Sequence, residues 1–312
     1  MSLVIPPRLK IGDKVSVVAT ARAVDYESVE AGINILIEWG LKVVPGKSLY
    51  HLDRLFAGTD KERLEDLQGA LDDTQIKAIF CARGGYGTTR ILDSINWEVF
   101  TQHPKWVCGF SDITALLCHI NCLGYACLHS TMPQLFNADN ASQDNESLRT
   151  ALFDLDIKLE AAVHPENRIG YCEGLLIGGN LSLLAHLTGT TSEVDTSGKI
   201  LILEEVDEYL YHLDRMMVQL KRSSKLQQLA GVVVGYLTKM KEGDLKFGTS
   251  AAGVIRSHLQ NENIPIGFGF PIGHHSPNFA VPLGLTGRLA VTKQGSKLTL
   301  ENKSSDQSSN NN

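Results

Sequence analysis

The stretch Trp106-Val107-Cys108-Gly109-Phe110-Ser111-Asp112-Ile113-Thr114 carries the architecture of this chain in miniature. An apolar run leads to a glycine, and a helix-like stretch over 112–122 follows at once. A short buried strand feeding straight into a helix belongs to a fold in which strands alternate with helices. The serine between them sits on a sharp turn with its hydroxyl exposed. The amide of the next residue then points where an oxyanion would form. Serine is also common at turns and helix N-caps, so a G-x-S alone does not establish a nucleophile.

Working outward, the same alternation fills the first half of the chain. The β-branched run at 15–19 predicts a strand, the spacing over 28–39 a helix, and 41–44 the next strand. Thr59-Asp60-Lys61-Glu62 reads as a capping box, opening a helix with Leu64, Leu67 and Leu71 down one face. Residues 76–81 form a further strand that runs into Ala82-Arg83-Gly84-Gly85-Tyr86-Gly87-Thr88. The expected fold class is therefore α/β, with a mostly parallel sheet covered by helices on both faces. Ligands of such sheets bind at the carboxyl ends of the strands, where both the Gly-rich turn and Ser111 fall.

The polar stretch 137–145 reads as a loop or linker and divides the chain into an N-terminal domain, 1–145, and a second, β-rich domain, 146–312. In the second half, 199–206 is a strand closing on Glu204-Glu205. Leu213, Met216, Met217 and Leu220 mark a helix face, 231–236 is another strand, and 268–281 is an irregular Gly/Pro/His segment. The Ser/Asn-rich residues 302–312 are expected to be disordered.

Composition narrows the function classes. With 312 residues, 43% of them hydrophobic and 21% charged, the chain can bury a large core. A net charge of −6 without a basic block argues against nucleic acid as a partner. No apolar run approaches the roughly 18 residues of a membrane span. The N-terminus lacks a basic and apolar leader, so a cytoplasmic location is expected. The six cysteines lie mostly in apolar segments without C-x-x-C pairs and read as reduced, buried thiols.

Several residues carry candidate chemistry. Arg83-Gly84-Gly85-Tyr86-Gly87 reads as a phosphate cradle, a plain tight turn, or a source of an oxyanion-hole amide beside Ser111, with Gly85 best placed for the last. It lacks both the GK[ST] ending of a P-loop and a dinucleotide fingerprint. A serine nucleophile needs a base, and the base an orienting acid. His274 and His275 lie in a turn-rich loop, and Glu204 and Glu205 end an apolar strand, where strand termination is the plainer account. Cys118, His119, Cys122, Cys127 and His129 are close in sequence, but their spacing and apolar surroundings fit core packing better than zinc. Neither a metal nor a cofactor is expected. A glutamine amidotransferase is disfavoured because the elbow carries serine, with Cys108 three residues earlier in the strand.

Taken together these segments resemble the LD-carboxypeptidases, the serine peptidase family that also contains the microcin C self-immunity peptidases. The blocks are Leu9-Lys10-Ile11-Gly12-Asp13-Lys14-Val15, Phe56-Ala57-Gly58-Thr59-Asp60, Ala82-Arg83-Gly84-Gly85-Tyr86-Gly87 and Gly109-Phe110-Ser111-Asp112-Ile113-Thr114-Ala115-Leu116. They continue with Gly178-Gly179-Asn180-Leu181, Leu203-Glu204-Glu205-Val206, Gly273-His274 and Pro282-Leu283-Gly284. The resemblance implies a flavodoxin- or glutaminase-like first domain carrying the nucleophile and a second domain carrying the acid and base. Carried over residue by residue, it implies a triad of Ser111, Glu204 and His274, with the amides of Gly85 and Asp112 as the oxyanion hole. The implied reaction is hydrolysis of the amide between the L-centre of a diamino acid and the terminal D-alanine of a murein tetrapeptide, in cell-wall recycling. Arg83 is the candidate partner for the D-alanine carboxylate, and the family suggests a homodimer. The chain departs from the family at Ala19-Thr20-Ala21-Arg22, on the wall of the substrate pocket. Two alternatives remain at this level: a microcin C-type peptidyl-nucleotide peptidase, and a non-catalytic muropeptide-binding protein.

Overall fold

The computed structural model describes residues 3–300, so the expected disordered tail at 302–312 lies outside the described residues. Five strands, β1 (Lys14–Val18), β2 (Lys42–Pro45), β3 (Ile76–Cys81), β4 (Trp106–Gly109) and β5 (Cys127–His129), pair in parallel in the order β2-β1-β3-β4-β5. That is the flavodoxin-like order, whose direction of winding reverses between β1 and β3. The carboxyl ends of β1 and β3 are therefore where this sheet order places ligands.

Local chemistry fixes the covering helices. Helix Tyr26–Glu38 opens at Asp25, whose carboxylate accepts from the Ser28 amide, and buries Val29, Ile33 and Leu36. Helix Asp60–Asp72 opens on the expected box, with Thr59 and Glu62 each capping the other's backbone amide. Its far end is closed by Lys105, a buried side chain whose Nζ donates to the carbonyls of Ala70, Leu71 and Asp73 at 3.0, 2.8 and 2.7 Å. Those are carbonyls with no partner inside the helix, and an ammonium suits the helix's negative end. Burial pushes the Lys105 ammonium down to about 8. The segment 137–145 is not all loop, because helix Ser142–Phe153 begins inside it. Its first turn is polar, and its buried apolar residues start only at Leu148, so apolar periodicity could not reveal the start.

The second half adds β6 (Lys158–Ala161), β7 (Gly170–Asn180), β8 (Ile200–Val206), β9 (Gly231–Thr238), β10 (Ile266–Phe268), β11 (Val281–Leu283), β12 (Thr286–Thr292) and β13 (Gly295–Leu300). Seven of these form one mixed sheet in the order β10-β9-β8-β7-β12-β13-β6. β7 to β10 run parallel, and β12, β13 and β6 are antiparallel additions. The parallel strands are linked through helices Leu181–His186, Leu210–Arg222 and Ala251–His258; the second buries Leu213, Met217 and Leu220 and half-buries Met216. The remaining strand, β11, crosses back and pairs antiparallel with β5 at the edge of the first sheet. Buried residues from both sheets belong to one contiguous apolar core. Cys81, Cys108, Cys118 and Cys127 are buried free thiols within it; Cys122 is exposed and Cys172 half-buried, contrary to a uniformly buried set. Among the described residues no helix is long and apolar enough to cross a membrane.

Candidate active site

β4 is buried throughout and delivers Phe110 in extended geometry, after which the chain turns at Ser111 with φ +62°. A non-glycine residue in this left-handed region costs on the order of 1–3 kcal/mol and persists only where the surroundings impose it. Here the turn continues directly into a short 3₁₀ segment, Ser111–Ile113, and the buried helix Thr114–Cys122. The Gly-rich turn after β3 packs against this elbow. A Cβ built on Gly84 would lie 3.0 Å from Ser111 Cβ and 3.3 Å from its Oγ, so only glycine lets the two turns come this close. Asp112, 2% exposed, ties them together by accepting from the Thr88 amide at 2.9 Å. Thr88 Oγ1 in turn shares a 2.9 Å hydrogen bond with Thr20 Oγ1, beyond the end of β1.

The adjacent Glu204 and Glu205 at the end of β8 are both buried, and the β8–β9 register shifts between Leu203 and Glu205. Their side chains serve different partners. Glu204 Oε2 accepts from His274 Nδ1 at 2.7 Å. Glu205 instead accepts from the Ser182 amide and hydroxyl at 2.7 Å each, from Asn180 Nδ2 at 3.0 Å and from the Val206 amide at 2.8 Å. It braces the start of helix Leu181–His186, and burial raises its carboxyl above the usual range despite these bonds.

His274 lies in the loop between β10 and β11. With Nδ1–H donated to Glu204, its Nε2 is left as the acceptor, the tautomer a general base requires. Its ring packs on Phe110, the residue before Ser111, with centroids 4.8 Å apart. Gly273 makes room for the acid: a Cβ there would meet Glu204 Oε2 at 2.6 Å. His275 points elsewhere, with Nδ1 donating to the Ser276 carbonyl and its ring against Tyr236.

Sequence reasoning missed the groups that hold this arrangement. Asn278 Oδ1 accepts from the Gly273 amide, and Asp144 Oδ1 accepts from the Asn278 amide, both at 2.8 Å. This relay links the histidine loop to helix Ser142–Phe153. The SPN ending of the loop was its one visible trace. His129, read only as core, is fully buried behind Phe110, with ring centroids 5.8 Å apart. Neither of its ring nitrogens has a hydrogen-bond partner among the described residues, and burial pushes its imidazole down to about 4 against the pull of the Glu204 carboxylate. Asn180 and Thr114 join β7 to the elbow helix through a 3.1 Å bond from the Asn180 amide to Thr114 Oγ1. Arg83 donates from Nη1 to the Ala23 carbonyl at 2.6 Å. Among the described residues no group of three or more His, Cys, Asp or Glu side chains comes together to hold a metal ion.

The family profile described as the LD-carboxypeptidase N-terminal domain matches residues 15–130, and that of the LD-carboxypeptidase C-terminal domain matches residues 173–289. The chain is 36% identical over 288 residues to the probable murein peptide carboxypeptidase of Bacillus subtilis strain 168, covering 89% of each chain. This chain belongs to the LD-carboxypeptidase family. It is also 30% identical to the murein tetrapeptide carboxypeptidase of Pseudomonas aeruginosa, over 88% of this chain and 92% of that one. Among solved structures, muramoyltetrapeptide carboxypeptidase from Oxalobacter formigenes superposes with a TM-score of 0.83 at 25% identity, covering 92% of this chain and 98% of the other. The chain is accordingly a serine-type carboxypeptidase by family, on a two-sheet α/β fold.

Proposed function

We propose that this LD-carboxypeptidase removes the terminal D-alanine of murein tetrapeptides, with Ser111 as nucleophile, His274 as base and then acid, and Glu204 as the carboxylate that orients it. The observation that carries this reading is the 2.7 Å bond from His274 Nδ1 to a fully buried Glu204, with the His274 ring packed on Phe110, the residue before an elbow serine held at φ +62°; in this state the Ser111 hydroxyl is not yet hydrogen-bonded to the histidine. In the reaction Ser111 Oγ attacks the amide carbonyl as His274 Nε2 takes its proton. The imidazolium, stabilised by Glu204, returns that proton to the departing amine of D-alanine. Water repeats the sequence to release the acyl group. The amides of Gly85 and Asp112 form the oxyanion hole, worth about 3–4 kcal/mol per donor in comparable sites. Arg83 stands in this reading as a cation near the substrate carboxylate.

We divide the chain near residue 145, with the nucleophile in the first part and the acid and base in the second. We also place the enzyme in the cytoplasm, in cell-wall recycling, and as a homodimer. The free thiols support the first of these, and sedimentation at twice the 34.1 kDa chain mass is the check on the last. Incubation with murein tetrapeptide is expected to release D-alanine, and Ser111→Ala to abolish the release. Full activity in that variant overturns the triad. Cleavage of a peptidyl-nucleotide in preference to tetrapeptide moves the assignment to the microcin C-type reading.

A further inference from the structure

The substrate of a carboxypeptidase ends in an anion, separated from the scissile carbonyl only by the amide nitrogen and one α-carbon. A cation must therefore stand close to the oxyanion site, and the carboxyl ends of β1 and β3 are where this sheet order places ligands. Four arginines lie on or against the segments that leave these strands. Arg63 is buried and bonded to Asp60 and to the carbonyls of Thr20 and Gly87. Arg90 is paired with Asp60 through three hydrogen bonds. Arg83 donates to the Ala23 carbonyl.

The fourth is Arg22, in the segment leaving β1. Its side chain has no ion pair or hydrogen bond among the described residues, and it is exposed. Its backbone is nonetheless fixed: Arg22 bridges Phe56, the Ala57 amide donates to Ala21 and the Ala23 amide to Leu55. Its stem lies on Gly85, because a Cβ built there would meet Arg22 Cδ at 2.6 Å, Cγ at 2.9 Å and Nε at 3.2 Å. The uncommitted guanidinium is thus held beside the turn that flanks Ser111.

We propose that Arg22 is the receptor for the free α-carboxylate of the departing D-amino acid, and that Arg83 holds the backbone carrying it; this rests on the carboxypeptidase reading above. The guanidinium offers a planar fork that matches a carboxylate, and its stem on Gly85 sets it beside the turn whose Gly84 packs on Ser111. Glycine at position 85 is required for this, since any side chain would displace the arginine stem.

The test compares a tetrapeptide ending in D-alanine with the same peptide ending in D-alaninamide, using the intact enzyme and Arg22→Met. Methionine keeps an unbranched apolar stem on Gly85 and lacks the charge. The wild-type preference for the acid, as a ratio of kcat/KM values, is expected to fall by about 10–100-fold in Arg22→Met, the range for losing a hydrogen bond to a charged group. Arg22→Lys should fall between the two, because it keeps the charge without the fork. An unchanged melting temperature separates this from misfolding. A wild type indifferent to the amide, or an Arg22→Met enzyme that keeps the full preference, overturns the proposal. A wild type that hydrolyses neither peptide overturns the carboxypeptidase reading itself.

Discussion

Glu204 and Glu205 leave one strand for different partners, and the sequence could not say which one meets the histidine. Two acids in succession read the same from composition, and only the family resemblance separated them. What distinguishes them physically is the space made by Gly273 on one side and the donors of residues 180–182 on the other. Both contacts are far apart in sequence. His129 is the residue at this scale with a consequence for stability. Its imidazole is held near 4 when folded, against 6.5 for an ordinary histidine. The unfolded chain therefore binds the extra proton first. The stabilisation is complete above about pH 6.5 and is lost as pH falls towards about 4, by on the order of 3 kcal/mol across that window. Replacing His129 by Phe should flatten this acid limb. Chemical-denaturation midpoints between pH 4 and 7 check it, and parallel curves for the two proteins would contradict the account.

At the level of elements, the strands and the strand-to-helix elbow were readable because β-branched runs and capping residues act locally. The predicted strand at 76–81 and the capping box at Thr59 appear as expected. β11 was not readable. Its three residues, Val-Pro-Leu, include a proline, which argues against a strand, and Pro282 is accommodated because β11 lies at the edge of its sheet. The histidine loop was readable as a loop but not as a fixed one. It is held by the relay from Asp144 through Asn278 to Gly273, reinforced by Ser147 Oγ accepting from the Ala280 amide at 2.9 Å. Asp144→Ala should leave the Asn278 amide without its acceptor and let His274 drift. We expect kcat to fall about tenfold with KM little changed, as for loss of one buried hydrogen bond. Steady-state kinetics on the tetrapeptide decides; an unchanged kcat would show that the relay is not needed to place His274.

At the level of the whole molecule, the two sheets are joined by more than contact. The chain passes from β10 in the second sheet, through the histidine loop, to β11 in the first, and then returns to the second as β12. A fragment ending at residue 145 would leave β5 as an open edge and uncover apolar surface now shared across the core. Such a fragment is expected to aggregate or to melt well below the full chain. Light scattering and thermal unfolding check this, and a soluble, cooperative fragment as stable as the whole would count against it.

The late arrival of β11 also matters before the protein is finished. A ribosome adding roughly 5–20 residues per second needs on the order of ten to thirty seconds to travel the about 150 residues from β5 to β11. For that interval the growing chain presents an unpaired strand edge beside a half-built core. During synthesis the protein thus carries an edge on which another chain could pair, a vulnerability invisible in the folded enzyme.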